Sequence, residues 1–214
     1  MKVLDFGCGT GSNSKLFNPE DYIGSEVDSS RVLSSSKKYP KYKFEKIPII
    51  NSSKDKLPWE DGSFDMIFVS LCLHHINAKS CKLIFKEFRR VLKSNGKILG
   101  IEPALIDGKY FSNILMNILD AGDYILPLDK YKDMYQSESF TTTHINVVKT
   151  FGYNLWQYSS VAIGQESTIF ENDKTKIRKI TKPIHLIGLY GKWAVLIFLI
   201  YTLISLLVNM FGSM

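Results

Sequence analysis

Cysteine is scarce in this chain and carries no pattern. There are three in 214 residues, Cys8, Cys72 and Cys81, with no C-x-x-C pair and no zinc-ligand spacing. A thiolate metal centre and the disulfide framework of a small secreted domain are thereby excluded, and an odd count without a framework fits a reducing compartment. The three read as small packing residues, and no metal is expected. A broad excess of one charge is also missing. The formal net charge is +6, but five cations, Lys174, Lys176, Arg178, Lys179 and Lys182, fall in one stretch and the remainder is nearly neutral. No nucleic-acid partner is expected from such a surface. Internal repeats and low-complexity tracts are lacking. The N-terminus enters a strand within a few residues, so no signal peptide is expected.

Charge is absent altogether from the end of the chain. After Lys192 no Asp, Glu, Lys or Arg appears, and Trp193 to Phe211 is apolar almost throughout. A bilayer span needs roughly 20 such residues. The apolar residues fill every face, which argues against an amphipathic surface helix. Tyr190 and Trp193 stand where an interfacial aromatic belt would be, and the basic cluster upstream would keep the preceding domain in the cytoplasm. The expectation is a domain over 1–170, a basic linker over 171–182 and a single-pass membrane anchor over 183–211.

The hydrophobic fraction of 45% is ample for a core. Residues 2–6 read as a strand and 11–17 as a helix. Strands follow at 22–27, 44–50, 64–69 and 97–101, with helices at 31–39 and 78–92. In the second of these helices Leu83, Ile84, Phe88, Val91 and Leu92 share a face. Such alternation predicts an α/β fold with a doubly wound, mostly parallel sheet. Farther on, 111–119 and 142–150 read as helices. Residues 153–162 read as a strand, with 165–170 as its antiparallel partner.

Val3-Leu4-Asp5-Phe6-Gly7-Cys8-Gly9-Thr10-Gly11 is the most informative stretch. A strand runs into an acidic, glycine-spaced loop, and glycine lets backbone approach a ligand closely. The dinucleotide fingerprint wants a third glycine at position 12, where Ser12 stands. Glu26 ends the second strand, where an acid can accept both hydroxyls of a ribose. Asp28 is its rival, unless either acid merely caps the next helix. The stretch Leu57-Pro-Trp-Glu-Asp-Gly-Ser-Phe-Asp65 leads through a strand to Leu71-Cys-Leu-His-His75, and Val91-Leu-Lys-Ser-Asn-Gly-Lys97 precedes another.

As a set, these motifs closely resemble class I S-adenosylmethionine (SAM) methyltransferases, of the group that methylates quinones, sterols and other small molecules. The resemblance runs from Val3 to about Pro103. It implies a Rossmann-like methyltransferase fold with SAM as cofactor. It also implies that Asp5, Gly7, Gly9 and Gly11 hold the methionine end, Glu26 the ribose and Val27 the adenine. The main chain near Leu71 would meet the cofactor's amino group. Ser53 falls where the family commonly has an acid for the adenine amino group. His74 and His75, at a strand's carboxyl end, are the candidate bases, since a neutral imidazole is available near pH 7. Nucleic-acid amino methyltransferases carry an Asp/Asn-Pro-Pro-aromatic tetrapeptide where this chain has Ser70-Leu71-Cys72-Leu73. The resulting expectation is a membrane-tethered methyltransferase with a small-molecule or lipid-like acceptor. The alternative is a methyltransferase-fold scaffold that binds SAM poorly, suggested because the family's usual helices before the first strand are not in this sequence.

Overall fold

Strand β1 (Val3–Phe6) is buried at all four positions, as its unbroken apolar-acidic run requires when helices cover both faces of a sheet. A computed structural model describes residues 1–120, 122–150 and 153–162. After β1 come a 3-10 turn (Ser12–Leu16), a second turn (Pro19–Asp21), β2 (Tyr22–Glu26), α1 (Ser29–Lys38), β3 (Lys43–Lys46) and β4 (Phe64–Ser70). A third turn (Leu73–His75) leads to α2 (Ala78–Val91) and β5 (Leu92–Pro103), then α3 (Tyr110–Leu119), α4 (Leu128–Ser137), β6 (Phe140–Thr150) and β7 (Tyr153–Ala162).

The strands form one sheet in the order β3-β2-β1-β4-β5-β7-β6. The first five run parallel, and β7 pairs antiparallel with both β5 and β6. One face is packed by Phe85 and Phe88 of α2 and Tyr131 and Tyr135 of α4 against Leu4, Phe6, Trp156 and Tyr158. The other buries Val3, Phe17, Tyr22, Phe44 and Phe68, with Val32 of α1 against them. The doubly wound sheet of the Rossmann-like methyltransferase fold is therefore present. Its strand order reverses beside β1, so the carboxyl ends of β1, β2 and β4 open on one crevice.

Four segments depart from the expected elements. Residues 142–150 form most of β6 and not a helix. Thr141 to Thr143, Val147 and Val148 are β-branched, which suits a pleated strand and crowds a helix. Beside β5, β7 pairs with β6; the partner strand expected at 165–170 lies outside the described residues. The helix expected at 11–17 is only the 3-10 turn of five residues. The third strand ends at Lys46, just ahead of Pro48, which has no N–H for a ladder. Residues 128–137, given no element from the sequence, form α4.

The fifth strand is longer than expected and contains the expected 97–101. Phe64 pairs with Leu92 and Met66 with Lys97, so residues 93–96 bulge out opposite Asp65 alone. The basic linker at 171–182 and the anchor at 183–211 lie outside the described residues. Among the described residues no helix is long and apolar enough to cross a membrane.

Candidate functional site

The loop after β1 is shaped by three glycines with left-handed backbone, Gly7, Gly9 and Gly11, at φ of 68°, 55° and 71°. Two of them are also wedged. A Cβ at Gly7 would meet Cys72 Sγ at 2.2 Å, and one at Gly11 would meet the Phe44 ring at 2.7 Å. Gly9 differs, because a Cβ there would meet nothing within 4 Å. Its bare backbone faces open space at the crest of the loop. Cys8 N donates to Ser25 O and Gly11 N to Cys8 O, so the loop is tied to β2 and closed on itself. Ser35 Oγ of α1 donates to Gly9 O.

Glu26 ends β2 with its side chain only 9% exposed. Its Oε2 accepts from Gly9 N at 3.1 Å and its Oε1 from Val27 N at 2.8 Å. The carboxylate is thus held against the crest of the glycine loop, with lone pairs left for further donors. Asp28 has a different task. It caps α1, accepting from Ser30 N and Ser30 Oγ, each at 2.7 Å, and these bonds hold its carboxyl below the usual range. Val27, 43% exposed, lies beside Glu26 and offers an apolar surface at the crevice.

Asp5 is fully enclosed under the loop. Tyr22 donates its phenol to Asp5 Oδ2 at 2.7 Å, while Asp5 Oδ1 is buried with no partner among the described residues. Burial pushes its carboxyl up to about 7, the Tyr22 hydrogen bond opposes that, and the nearby Glu26 carboxylate adds to it. An orphaned acceptor beneath a strained loop is a place where a donor is wanted.

Leu71 directly follows β4 with φ of 53°, a conformation rare for a branched side chain and characteristic of functional turns. Its N–H donates to Ile101 O at 2.8 Å. The turn that follows is organised by Glu102, a residue the sequence did not single out. Glu102, fully buried on β5, accepts from Cys72 N and Leu73 N through Oε1, and its Oε2 meets His74 Nδ1 at 2.9 Å. His74 Nε2 lies 3.5 Å from Asp120 Oδ1. Both ring nitrogens of His74 are therefore set against carboxylates, and the ring is buried.

The His75 ring lies against that of His74, tilted by 40° with ring centroids 4.1 Å apart, and remains exposed. The covered part of its ring and the neighbouring His74 hold its pKa below the usual imidazole value. Of the two histidines, it is the one placed to exchange a proton with a visitor. Ser53 is exposed, in a turn where Asp55 takes the N–H groups of Asn51 and Ser52 at 3.0 and 2.8 Å.

The structure thus brings Asp5, Gly7, Gly9, Gly11, Glu26 and Val27 together, with Leu71 and Cys72 against the loop, and it holds Ser53 in a separate turn. The residues suit SAM. An open glycine crest admits a ligand's backbone-sized edge, an anchored carboxylate can take a ribose diol, and an orphaned carboxyl oxygen suits a cationic ligand.

Comparison with known proteins agrees. Residues 4–100 match a family model described as a methyltransferase domain. The chain is 28% identical over 102 residues to the malonyl-[acyl-carrier protein] O-methyltransferase of Legionella pneumophila, covering 46% of this chain and 34% of that protein. It is 30% identical over 107 residues to a demethylmenaquinone methyltransferase of Staphylococcus aureus, covering 48% of this chain and 43% of that one. The chain spans less than half the length of these curated relatives. Among solved structures, the YcgJ protein of Bacillus subtilis superposes with a TM-score of 0.60 at 16% identity, over 78% of this chain and 92% of that one. Residues 4–100 of this chain thus match the methyltransferase domain family model, and the fold is the one found in S-adenosylmethionine-dependent methyltransferases.

Proposed function

We propose that this protein is a methyltransferase that transfers the methyl group of SAM to a small, lipid-like acceptor at a membrane. The observation that carries the reading is the apposition of the open Gly9 crest and the Glu26 carboxylate, bonded at 3.1 Å. SAM supplies a methyl already activated on a sulfonium, so the protein has little covalent chemistry to do. The chain's own work is alignment and exclusion of water. In this reading the loop and Asp5 hold the methionine end, Glu26 the ribose, Val27 the adenine, and the main chain at Leu71 the amino group. Ser53, from its separate turn, would meet the adenine amino group. His75 takes the proton that a nucleophilic acceptor sheds, and His74, clamped by Glu102, fixes the ring against which His75 lies.

The acceptor class rests on two supports. The relatives' names include a quinone acceptor, and the sequence ends in an uncharged apolar run behind a basic cluster. Such a run would tether the domain to the cytoplasmic side of a membrane. The test is methyl transfer from labelled SAM into a lipid extract of the native host, with products separated and identified, alongside calorimetric SAM binding. Gly9→Asp should abolish binding while leaving the circular dichroism unchanged, because the new side chain fills the open crest. A wild-type chain without measurable SAM affinity would turn the reading to a membrane scaffold.

A further inference from the structure

Strand β5 runs through the core on apolar side chains, with Ile98, Leu99 and Ile101 fully enclosed. Glu102 continues the strand and is just as enclosed, yet it carries a carboxylate. A buried polar side chain in an apolar run is the informative exception. It is costly to keep there unless hydrogen bonds replace the lost water. Here they do, and all of them go to one turn. Oε1 accepts from Cys72 N at 2.8 Å and from Leu73 N at 2.9 Å, and Oε2 meets His74 Nδ1 at 2.9 Å.

The two oxygens serve different ends of that turn. Oε1 stands where a cap would. Cys72 precedes the 3-10 turn Leu73–His75 and makes no side-chain cap bond, and N–H groups at such a start find no partner within the turn itself. Leu71, with its left-handed backbone, comes immediately before, and its N–H is held by Ile101 O at 2.8 Å. The end of β5 thus fixes three successive N–H groups, from Leu71 to Leu73. Oε2 fixes the His74 ring. The ring has no room to turn away, because a Cβ on Gly122 would meet its Cδ2 at 2.1 Å, and Tyr124 N ties down His74 O at 2.9 Å. On its far side Nε2 is 3.5 Å from Asp120 Oδ1, an oxygen that already accepts from Gly122 N at 2.6 Å. The shorter contact sets the tautomer and puts a proton on Nδ1, facing Glu102.

We propose that Glu102 is a positioning residue for both halves of the site: through Oε1 it presents the Leu71 turn to the cofactor, and through Oε2 it sets the tautomer of His74, the ring against which the base His75 lies. The assignment rests on the methyltransferase reading above. It adds that a single buried carboxylate from β5 keeps the cofactor's main-chain contact and the proton acceptor in fixed relation, although neither touches the other through any element of its own.

An isosteric change separates the two oxygens. In Glu102→Gln the amide oxygen still accepts from Cys72 N and Leu73 N, so the NH2 group faces His74 Nδ1 and the ring proton must move to Nε2. Long-range proton–nitrogen NMR of the full chain in detergent micelles, labelled at histidine, reads the tautomer, with His74→Gln to assign the signal. Expected are a proton on Nδ1 in wild type and on Nε2 in Glu102→Gln, with unchanged calorimetric SAM affinity. Glu102→Ala leaves both N–H groups buried without an acceptor and should bind SAM about tenfold more weakly. The His75 titration midpoint should fall in both variants, because the Glu102 charge acts to raise it. A Glu102→Gln ring still protonated on Nδ1, or Glu102→Ala binding SAM as tightly as wild type, overturns the assignment and leaves the methyltransferase reading standing. If Glu102→Ala fails to fold, the tautomer in Glu102→Gln decides alone. A wild-type chain without SAM affinity overturns the methyltransferase reading and this assignment with it.

Discussion

Glu26 and Asp28 lie two residues apart, carry the same charge and do different jobs. Asp28 sits at a helix start and spends its oxygens on Ser30; Glu26 is buried against the glycine loop. Glu26→Ala should weaken SAM binding by about 1.5–3 kcal/mol, the worth of a charged hydrogen bond; calorimetry at constant pH reads it, and an unchanged affinity would transfer the ribose role elsewhere. Asp5 gives a pH signature. Its proton leaves the unfolded chain near 3.8 but the folded one only at about 7. The folded state therefore binds more protons between those values, and this residue's contribution to stability falls as pH rises through that window, then levels off. Against Asp5→Asn, wild type should lose up to roughly 4 kcal/mol between about pH 4 and about pH 8, read from urea midpoints. Equal slopes for the two proteins would remove Asp5 from its enclosed place. The grouping of Asp5, the glycines and Glu26 was legible through the resemblance to a family pattern, which also picked Glu26 over Asp28. Glu102 was not, since its partners lie 28 to 30 residues away, and only the pairing of β4 with β5 brings them together.

At the level of elements, the Leu57-Pro-Trp motif looks at first like an isolated loop, but α2 pins it. Leu57 N donates to Glu87 Oε2 at 2.8 Å. Arg90 donates to Leu57 O, Trp59 O and Asp61, and forks onto Glu87. Arg90→Ala should cost about 2–3 kcal/mol by leaving the buried carbonyls and Glu87 without their charged donor. Faster hydrogen exchange at 57–61, with α2 still protected, would be the accompanying sign; a loop as protected as in wild type would contradict it. The parallel half of the sheet was readable because strands covered on both faces are continuous apolar runs. Of the antiparallel edge, β7 was readable as a strand over 153–162, and β6 was not. Residues 142–150 read as a helix, yet their β-branched residues pair with β7, which starts only a few residues farther along the chain. Hairpin pairing there decided between two local tendencies.

For the molecule as a whole, the described core closes by residue 162 and the chain continues into basic and then uncharged stretches. Cut after Lys182, the domain should stay in the supernatant of a high-speed spin, because the uncharged run from Trp193 is gone, while on the proposed tether the full chain pellets with membranes. A truncated chain that pellets equally would place the anchor inside the domain. Topology has a consequence for biosynthesis. Strand β1 lies inside the sheet between β2 and β4, and Val3 takes Met66 as its neighbour. During synthesis one edge of this strand therefore stays unpaired until β4 has been translated. Distant closure of this kind is slow, so β1 waits in the nascent chain for a neighbour made later.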